Sequence, residues 1–158
     1  MQDIYQVLTD LTIPFEKFEH PAVHTVADTI EHYKGINAGK SKNLFLRNAK
    51  GDQYFLVIMQ ADKRLDTKKL SETLGTKLSF ASPEILQQLL GLTPGSVSPF
   101  GLINDTNHVV QVLVDKSLLS YETLGYHPNS NTATLVISSK DLQKFLMSTG
   151  NKVSYIEL

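Results

Sequence analysis

The stretch Gly39-Lys40-Ser41-Lys42-Asn43-Leu44-Phe45-Leu46-Arg47 joins a small, flexible loop to the start of an apolar strand. A second apolar run, residues 53–60, follows the polar connection Ala49-Lys50-Gly51-Asp52, and this pattern predicts a β-hairpin at the centre of a sheet. A lysine at the start of such a strand can direct its ammonium group into a cleft held by a rigid scaffold. There it can hold a phosphate or an oxygen that gains negative charge during a reaction.

Helices and further strands are expected on both sides of this hairpin. The patterns predict helices at residues 2–11, 26–33, 65–74, 83–90 and 139–147, and strands at 15–19, 43–48, 53–60, 108–115, 132–138 and 153–157. Residues 92–103, with two prolines and two glycines, are expected to form an ordered loop rather than a helix or strand. Because strands do not alternate strictly with helices, we expect one mixed α/β domain over residues 1–158, not a doubly wound fold.

Composition favours an ordinary globular protein. The chain has 158 residues, of which 41% are hydrophobic and 20% charged. No apolar run approaches the roughly 20 residues that a membrane-spanning helix needs. The N-terminus has no secretory pattern and the chain has no cysteine, so a cytoplasmic protein without disulfides or thiolate metal sites is expected.

Charge is nearly balanced but unevenly placed. A formal net charge of -1 gives no overall attraction to nucleic acid. Basic residues nevertheless concentrate near the hairpin, at Lys34, Lys40, Lys42, Arg47 and Lys50. This distribution fits a short or end-on contact with RNA better than a long duplex track.

Two short segments, around Lys42 and around His127, contain the first candidates for chemistry. Lys42 follows the glycine loop, and Asn43 beside it can donate or accept a hydrogen bond. His127 lies in Gly125-Tyr126-His127-Pro128, whose glycine and proline indicate irregular backbone, and Asn131 follows in a polar run before a strand. The ordinary alternatives are a solvated lysine at a strand end and a turn histidine satisfied by its neighbours.

The loop Gly95-Ser96-Val97-Ser98-Pro99 is a further candidate. Its backbone amides could face a carbonyl or phosphate oxygen, although an inert tight connection has the same pattern. His20 and His24 have the spacing of a metal pair, but Pro21 between them breaks the helix that such a pair requires, so neither metal nor cofactor is expected. The chain also lacks the phosphate-binding loop, the dinucleotide fingerprint and the hydrolase elbow.

Three segments together resemble the YbaK-like aminoacyl-tRNA deacylases, the family of the editing domain inserted in bacterial prolyl-tRNA synthetases. They are Lys42 to Leu46, Gly95 to Pro99, and Gly125-Tyr126-His127-Pro128 with Asn131-Thr132-Ala133-Thr134, within a likeness that extends from about His20 to Phe145. The resemblance is closest to the free-standing branch that removes alanine from proline tRNA.

The resemblance implies a mixed sheet partly rolled into a barrel and flanked by helices. Lys42 matches the lysine on which activity depends, and His127 matches a histidine near the aminoacyl group. Gly95 and Pro99 match the glycine and proline of the substrate-binding loop. The remaining residues expected to bind substrate are Asn43, Ser96, Val97, Ser98, Gly125 and Asn131.

The implied activity is hydrolysis of the ester of mischarged tRNA(Pro), with alanine the expected amino acid and the substrate's own ribose hydroxyl assisting water. The expected partners are the acceptor end of tRNA(Pro) and prolyl-tRNA synthetase, with no membrane and no DNA. Two alternatives remain open. One is hydrolysis of cysteine or another small amino acid from tRNA, and the other is a non-catalytic module that binds an aminoacyl-tRNA or a synthetase.

Overall fold

The computed structural model describes residues 3–21 and 38–158, which form helices and two β-sheets. In chain order the elements are α1 (Ile4–Asp10), β1 (Glu16–Glu19), β2 (Ser41–Asn48), β3 (Tyr54–Gln60), α2 (Thr67–Leu74), β4 (Leu78–Phe80), α3 (Pro83–Leu90), a 3-10 helix (Pro99–Asn104), β5 (Val110–Asp115), a second 3-10 helix (Lys116–Ser120), β6 (Thr123–Tyr126), β7 (Ala133–Ser138), α4 (Ser139–Thr149) and β8 (Val153–Ile156). The prediction of a mixed α/β architecture is confirmed.

The predicted hairpin of β2 and β3 is the centre of the larger sheet. This sheet has the strand order β4-β2-β3-β5-β8, in which β2 is antiparallel to β3 and β4, while β3-β5 and β5-β8 are parallel. The smaller sheet is antiparallel, with the order β1-β7-β6. A parallel bridge between Gly39 and Leu124 connects the two sheets, so the described strands form two joined sheets rather than a closed barrel.

Alternation along β3 separates two hydrophobic clusters. Leu56 and Ile58 belong to the larger cluster, which also contains buried residues of β5, β6, β7, α3 and α4. Val57 and Met59 point to the opposite face and belong to the smaller cluster, which Leu70 of α2 covers. Because both faces are covered, every residue from 55 to 59 is buried, as expected for a strand in the middle of a sheet.

Local capping determines where the helices begin and end. The Ser82 hydroxyl accepts from the Ile85 amide before Pro83 begins α3, and the Ser138 hydroxyl accepts from the Asp141 amide at the start of α4. Gly75 and Gly91 end α2 and α3 in the left-handed conformation. The expected helix at 26–33 lies outside the described residues, and no helix within them is long and apolar enough to cross a lipid bilayer.

Four elements differ from expectation, and one of them is the second 3-10 helix, Lys116–Ser120, which was not predicted. Residues 92–103 are not entirely loop, because the Ser98 hydroxyl accepts from the Phe100 amide and begins the 3-10 helix at Pro99. Strand β4 was not predicted, since three residues are too few to show a pattern. Strand β6 was also not predicted. Gly125 and Tyr126 were expected in irregular backbone, but their pairing with β7 makes them strand.

Candidate active site

The site forms where β2 and β6 lie side by side and then separate. The Gly39 amide donates to the Thr123 carbonyl at 2.8 Å, beside the bridge to Leu124. No further bridge between these two strands follows in the described residues. A crevice between separating parallel strands is a common place for a ligand to bind in α/β proteins. Lys42 on β2 lies three residues beyond the bridge, and His127, the first residue after β6, lies three residues beyond it on the other segment.

A glycine is necessary at position 39 for this close approach. A Cβ atom placed there would lie 2.5 Å from Cγ of Tyr121, well inside van der Waals contact. The ring of Tyr121 therefore covers the backbone just before β2 begins. This packing holds the start of β2 against the start of β6.

Lys42 and Asn43 lie on opposite faces of β2. The antiparallel register pairs Lys42 with Met59 and Asn43 with Ile58, so Lys42 is on the face of the smaller cluster and Asn43 on that of the larger cluster. Lys42 is half-buried, and its ammonium group has no hydrogen bond or ion pair to residues 3–21 or 38–158. Leu124 and Tyr126 of β6 face the larger cluster. By the same alternation His127 lies on the opposite, outer face, as Lys42 does.

Asn43 connects the strand to the loop 95–99. Its Nδ2 donates to the Val97 carbonyl at 3.2 Å. Its Oδ1 atom is buried and accepts no hydrogen bond from the described residues. A buried acceptor without a donor costs about 1–3 kcal/mol, so a ligand that supplies an N–H or O–H here would recover that energy. Ser41, two residues earlier on the same face, also has a buried hydroxyl oxygen without a partner in the described part of the chain.

The loop itself begins with a type II β-turn. The Ser96 amide donates to the Thr93 carbonyl, Pro94 occupies the second position, and Gly95 has a φ of 92° at the third, where this turn requires a positive value. The Ser96 hydroxyl also donates to the Thr93 carbonyl. Within the described residues the amides of Val97 and Ser98 donate no hydrogen bond, and these are the donors that the loop can offer to a ligand.

The hydrogen bonding of His127 determines which of its nitrogens is available. Nδ1 lies 3.1 Å from the Ala133 carbonyl oxygen, which can only accept, so Nδ1 carries the hydrogen. In the neutral ring Nε2 then has a free lone pair. Burial lowers the pKa of His127, the bond to Ala133 opposes this effect, and nearby His20 lowers the pKa further. The net pKa lies below 6.5, so the imidazole is neutral at pH 7 and can accept a proton or hydrogen bond.

Sequence reasoning did not identify His20 as a member of the site. The ring centroids of His20 and His127 are 6.1 Å apart, and Nε2 of His20 lies 2.9 Å from the Thr134 hydroxyl. Part of the signal was present, because Thr134 belongs to a segment that carries the family resemblance and the wider likeness begins at about His20. What was missing was the pairing of β1 with β7, which brings the ends of these strands together across the sheet.

The other predicted site residues have mainly structural surroundings. A Cβ on Gly125 would lie 2.9 Å from Cγ2 of Thr134, so this glycine allows β6 and β7 to pack closely. The Ser98 hydroxyl caps the 3-10 helix, where Pro99 is buried. Asn131 is half-buried in the turn before β7. Asn129, in the same turn, has a buried Oδ1 without a partner in the described residues. A contact of any of these residues with substrate stays a prediction.

Nothing in the described part of the chain has the composition of a metal site. No group of three or more histidine and acidic side chains converges there. The chemistry available from the described residues is therefore that of a half-buried cation, a neutral imidazole and amide donors around a crevice.

Comparison with known proteins identifies the family. A family model described as aminoacyl-tRNA editing domain matches residues 20–145, which is most of the chain. The chain belongs to the aminoacyl-tRNA editing domain family. This membership confirms the resemblance expected from the three sequence segments.

Full-length relatives support the same assignment. The chain is 43% identical to prolyl-tRNA editing protein ProX of Acetoanaerobium sticklandii over an alignment of 162 positions, which covers 99% of this chain and 96% of that protein. It is 33% identical to prolyl-tRNA synthetase associated domain-containing protein 1 of Bos taurus, with 92% and 88% coverage. A crystal structure of a protein proposed to be a trans-editing enzyme for prolyl tRNA synthetase has the same fold, with a TM-score of 0.72, 24% identity and coverage of 100% and 98%.

We predict that Gly39→Ala separates β2 from β6, because the new methyl group cannot fit against Tyr121. The free energy of unfolding should fall by about 1–3 kcal/mol, as for other overpacked sites. Urea denaturation measures this change. Gly75→Ala is the matched control: position 75 is also a glycine, but no atom lies within 4 Å of the added Cβ, so only the strain of its positive φ is introduced. The double variant Gly39→Ala/Tyr121→Ala should recover part of the loss, and no recovery would contradict the packing argument.

Proposed function

We propose that this protein is an aminoacyl-tRNA deacylase that removes alanine from mischarged tRNA(Pro) in trans. The observation that carries this proposal is the 43% identity, over 99% of the chain, to a protein named as a prolyl-tRNA editing protein. The substrate is the ester between the amino acid and the terminal ribose of the tRNA. The acceptor end enters the crevice between β2 and β6, and prolyl-tRNA synthetase is a candidate source of the mischarged tRNA.

The groups in the crevice suit the hydrolysis of an ester that is already activated. The α-ammonium group of an aminoacyl ester withdraws electrons from the carbonyl, and a vicinal hydroxyl lies beside the leaving oxygen. A protein nucleophile is therefore unnecessary. Water attacks the carbonyl carbon, the bond to the ribose oxygen breaks, and the leaving oxygen takes up a proton. The products are the amino acid and a tRNA whose terminal ribose hydroxyl is free.

His127 is the proton acceptor that the described residues offer. Its Nε2 has a free lone pair in the neutral ring, and burial keeps that ring neutral at pH 7. It can accept a hydrogen bond from the attacking water or from the free ribose hydroxyl. A positioned acceptor of this kind contributes about 10²- to 10⁴-fold to a rate.

Lys42 and the loop stabilise negative charge. The Lys42 ammonium group binds the terminal phosphate or the oxygen that becomes negative as water adds, and the amides of Val97 and Ser98 are neutral donors for the same oxygen. Asn43 Oδ1, which lacks a donor in the described residues, accepts from the α-ammonium group or a ribose hydroxyl. Lys42 and the loop amides thus stabilise negative charge on the acylated end, and Asn43 binds a donor group beside it.

Selection of alanine follows from the limits of a pocket built for proline. Loss of a few methylene groups costs only about 1–3 kcal/mol of binding, so a synthetase cannot strongly reject a smaller amino acid. A second, smaller pocket accepts alanine and excludes proline by steric overlap. The deacylase supplies this second pocket.

We expect the purified protein to hydrolyse tRNA(Pro) charged with alanine much faster than the same tRNA charged with cysteine, serine or proline. Release of radiolabelled amino acid measures each rate against the spontaneous rate. Faster loss of cysteine would assign the protein to a neighbouring specificity. Tight binding without ester loss would instead indicate a non-catalytic module.

Lys42→Ala should lower kcat/KM for the best substrate by about 10²- to 10³-fold, because the variant loses one electrostatic contact to developing charge. Lys50→Ala is the matched control, since Lys50 is exposed in the turn of the same hairpin. Circular dichroism checks that both variants are folded. Equal activity of Lys42→Ala and Lys50→Ala would remove Lys42 from the mechanism.

The pH dependence should identify His127. Because burial and His20 lower its pKa, the active neutral form persists below pH 6.5, and kcat/KM should fall on the acid side only below that value. The non-titrating variant His127→Gln should be slower and should lose this acid limb. If the unchanged protein and His127→Gln have pH profiles of the same shape, the fall in kcat/KM at low pH belongs to another group, such as the substrate ammonium.

A further inference from the structure

We propose that His20 and Thr134 are positioning residues for His127, a role that rests on the proposed function. They hold the imidazole in one orientation, with its Nε2 lone pair available to the substrate. Neither residue needs to touch the reacting atoms.

The ring of His20 is fixed by a hydrogen bond at each nitrogen. Nδ1 lies 2.9 Å from the Pro21 carbonyl oxygen, and because a carbonyl only accepts, Nδ1 carries the hydrogen. In the neutral ring Nε2 is therefore the acceptor, and it takes the hydroxyl hydrogen of Thr134 at 2.9 Å. The plane of His20 is set by these two contacts at opposite sides of the ring.

Consecutive residues of β7 hold both imidazoles. The Ala133 carbonyl accepts from Nδ1 of His127, and the next residue, Thr134, donates to Nε2 of His20. The two rings then meet edge to face, with centroids 6.1 Å apart and planes at 64°. In this arrangement rotation of His127 about its side-chain bonds is limited by a neighbour that is itself fixed.

Thr134 is well suited to act as the fixed point. Its side chain is fully buried, and its methyl group occupies the space left by Gly125, where a Cβ would lie only 2.9 Å away. A β-branched residue in a strand has few rotamers available. The position of the methyl group therefore fixes the direction of the hydroxyl toward His20.

The two histidines consequently have different roles. In its neutral form His20 uses its lone pair within the fold, to accept from Thr134. The lone pair of His127 has no partner in the described residues and is the one that a substrate can reach. His20 therefore orients the imidazole of His127, and His127 accepts the hydrogen bond from the substrate or the attacking water.

A double-mutant cycle tests this coupling. His20→Leu and Thr134→Val should each lower kcat by about 3- to 10-fold with little change in KM, the effect expected from loss of one orienting hydrogen bond. His20→Gln, whose side-chain oxygen can replace Nε2 as acceptor, and Thr134→Ser, which keeps the hydroxyl, should retain most of the rate. In a His127→Gln background, His20→Leu should have no further effect on kcat. An equal loss in both backgrounds, or no rescue by the conservative variants, would overturn the proposal.

A second measurement does not depend on activity and separates this proposal from the proposed function. Nitrogen-15 NMR of the imidazoles should show His127 as a single Nδ1-protonated tautomer in the unchanged protein. Thr134→Val should broaden or shift the His127 resonances, whereas Thr134→Ser should preserve them. If the protein deacylates no tRNA but these shifts occur, the positioning role stands and the proposed function fails. Unchanged His127 resonances in Thr134→Val would overturn the positioning role whatever the activity.

Discussion

The backbone contact between Gly39 and the start of β6 is the constraint on which the site depends. Strand β2 pairs with β3 along most of its length, but along its other edge it has two different neighbours. Near its start it meets β6 through the Gly39–Leu124 bridge, and near its end it pairs with β4 at residues 46–48. Between these two contacts no strand among residues 3–21 and 38–158 pairs with this edge of β2, and Lys42 and Asn43 lie in that interval. The crevice therefore results from a change of neighbours along one strand.

This arrangement also explains how adjacent residues can serve one ligand although they lie on opposite faces of a sheet. In the middle of a sheet, Lys42 and Asn43 would point into separate clusters and could not meet the same molecule. At an open edge, a ligand that lies along the strand can reach both faces. Asn43, fixed to the loop through Val97, then belongs to the inner wall, and Lys42 belongs to the outer wall with His127.

The polar groups of the site are held mainly by sheet backbone. β7 supplies a carbonyl to His127 and a hydroxyl to His20, and it is paired on both sides, by β1 and β6. Groups held by a doubly paired strand need little reorganisation when a substrate binds, which favours electrostatic stabilisation of a transition state. Such preorganisation suits the proposed reaction, in which an activated ester needs orientation and charge stabilisation more than a strong nucleophile.

Local rules of sequence were sufficient for the hairpin, the caps of α3 and α4 and the glycines that end α2 and α3, because each depends on residues close together in the chain. The family was identified not by these rules but by the resemblance of three short, continuous segments to a known family, which the family model confirms. The local rules did not predict β6, because Gly125 has the local signature of a loop and becomes strand only through hydrogen bonds to β7. They did not reveal the partnership of His20 with Thr134, which are 114 positions apart and meet only when β1 pairs with β7. Sequence thus determined the local elements and the identity of the candidate residues. Strand pairing between distant segments decides which faces those residues share and which nitrogen of His127 has no partner in the described residues, so only the tertiary structure could show either.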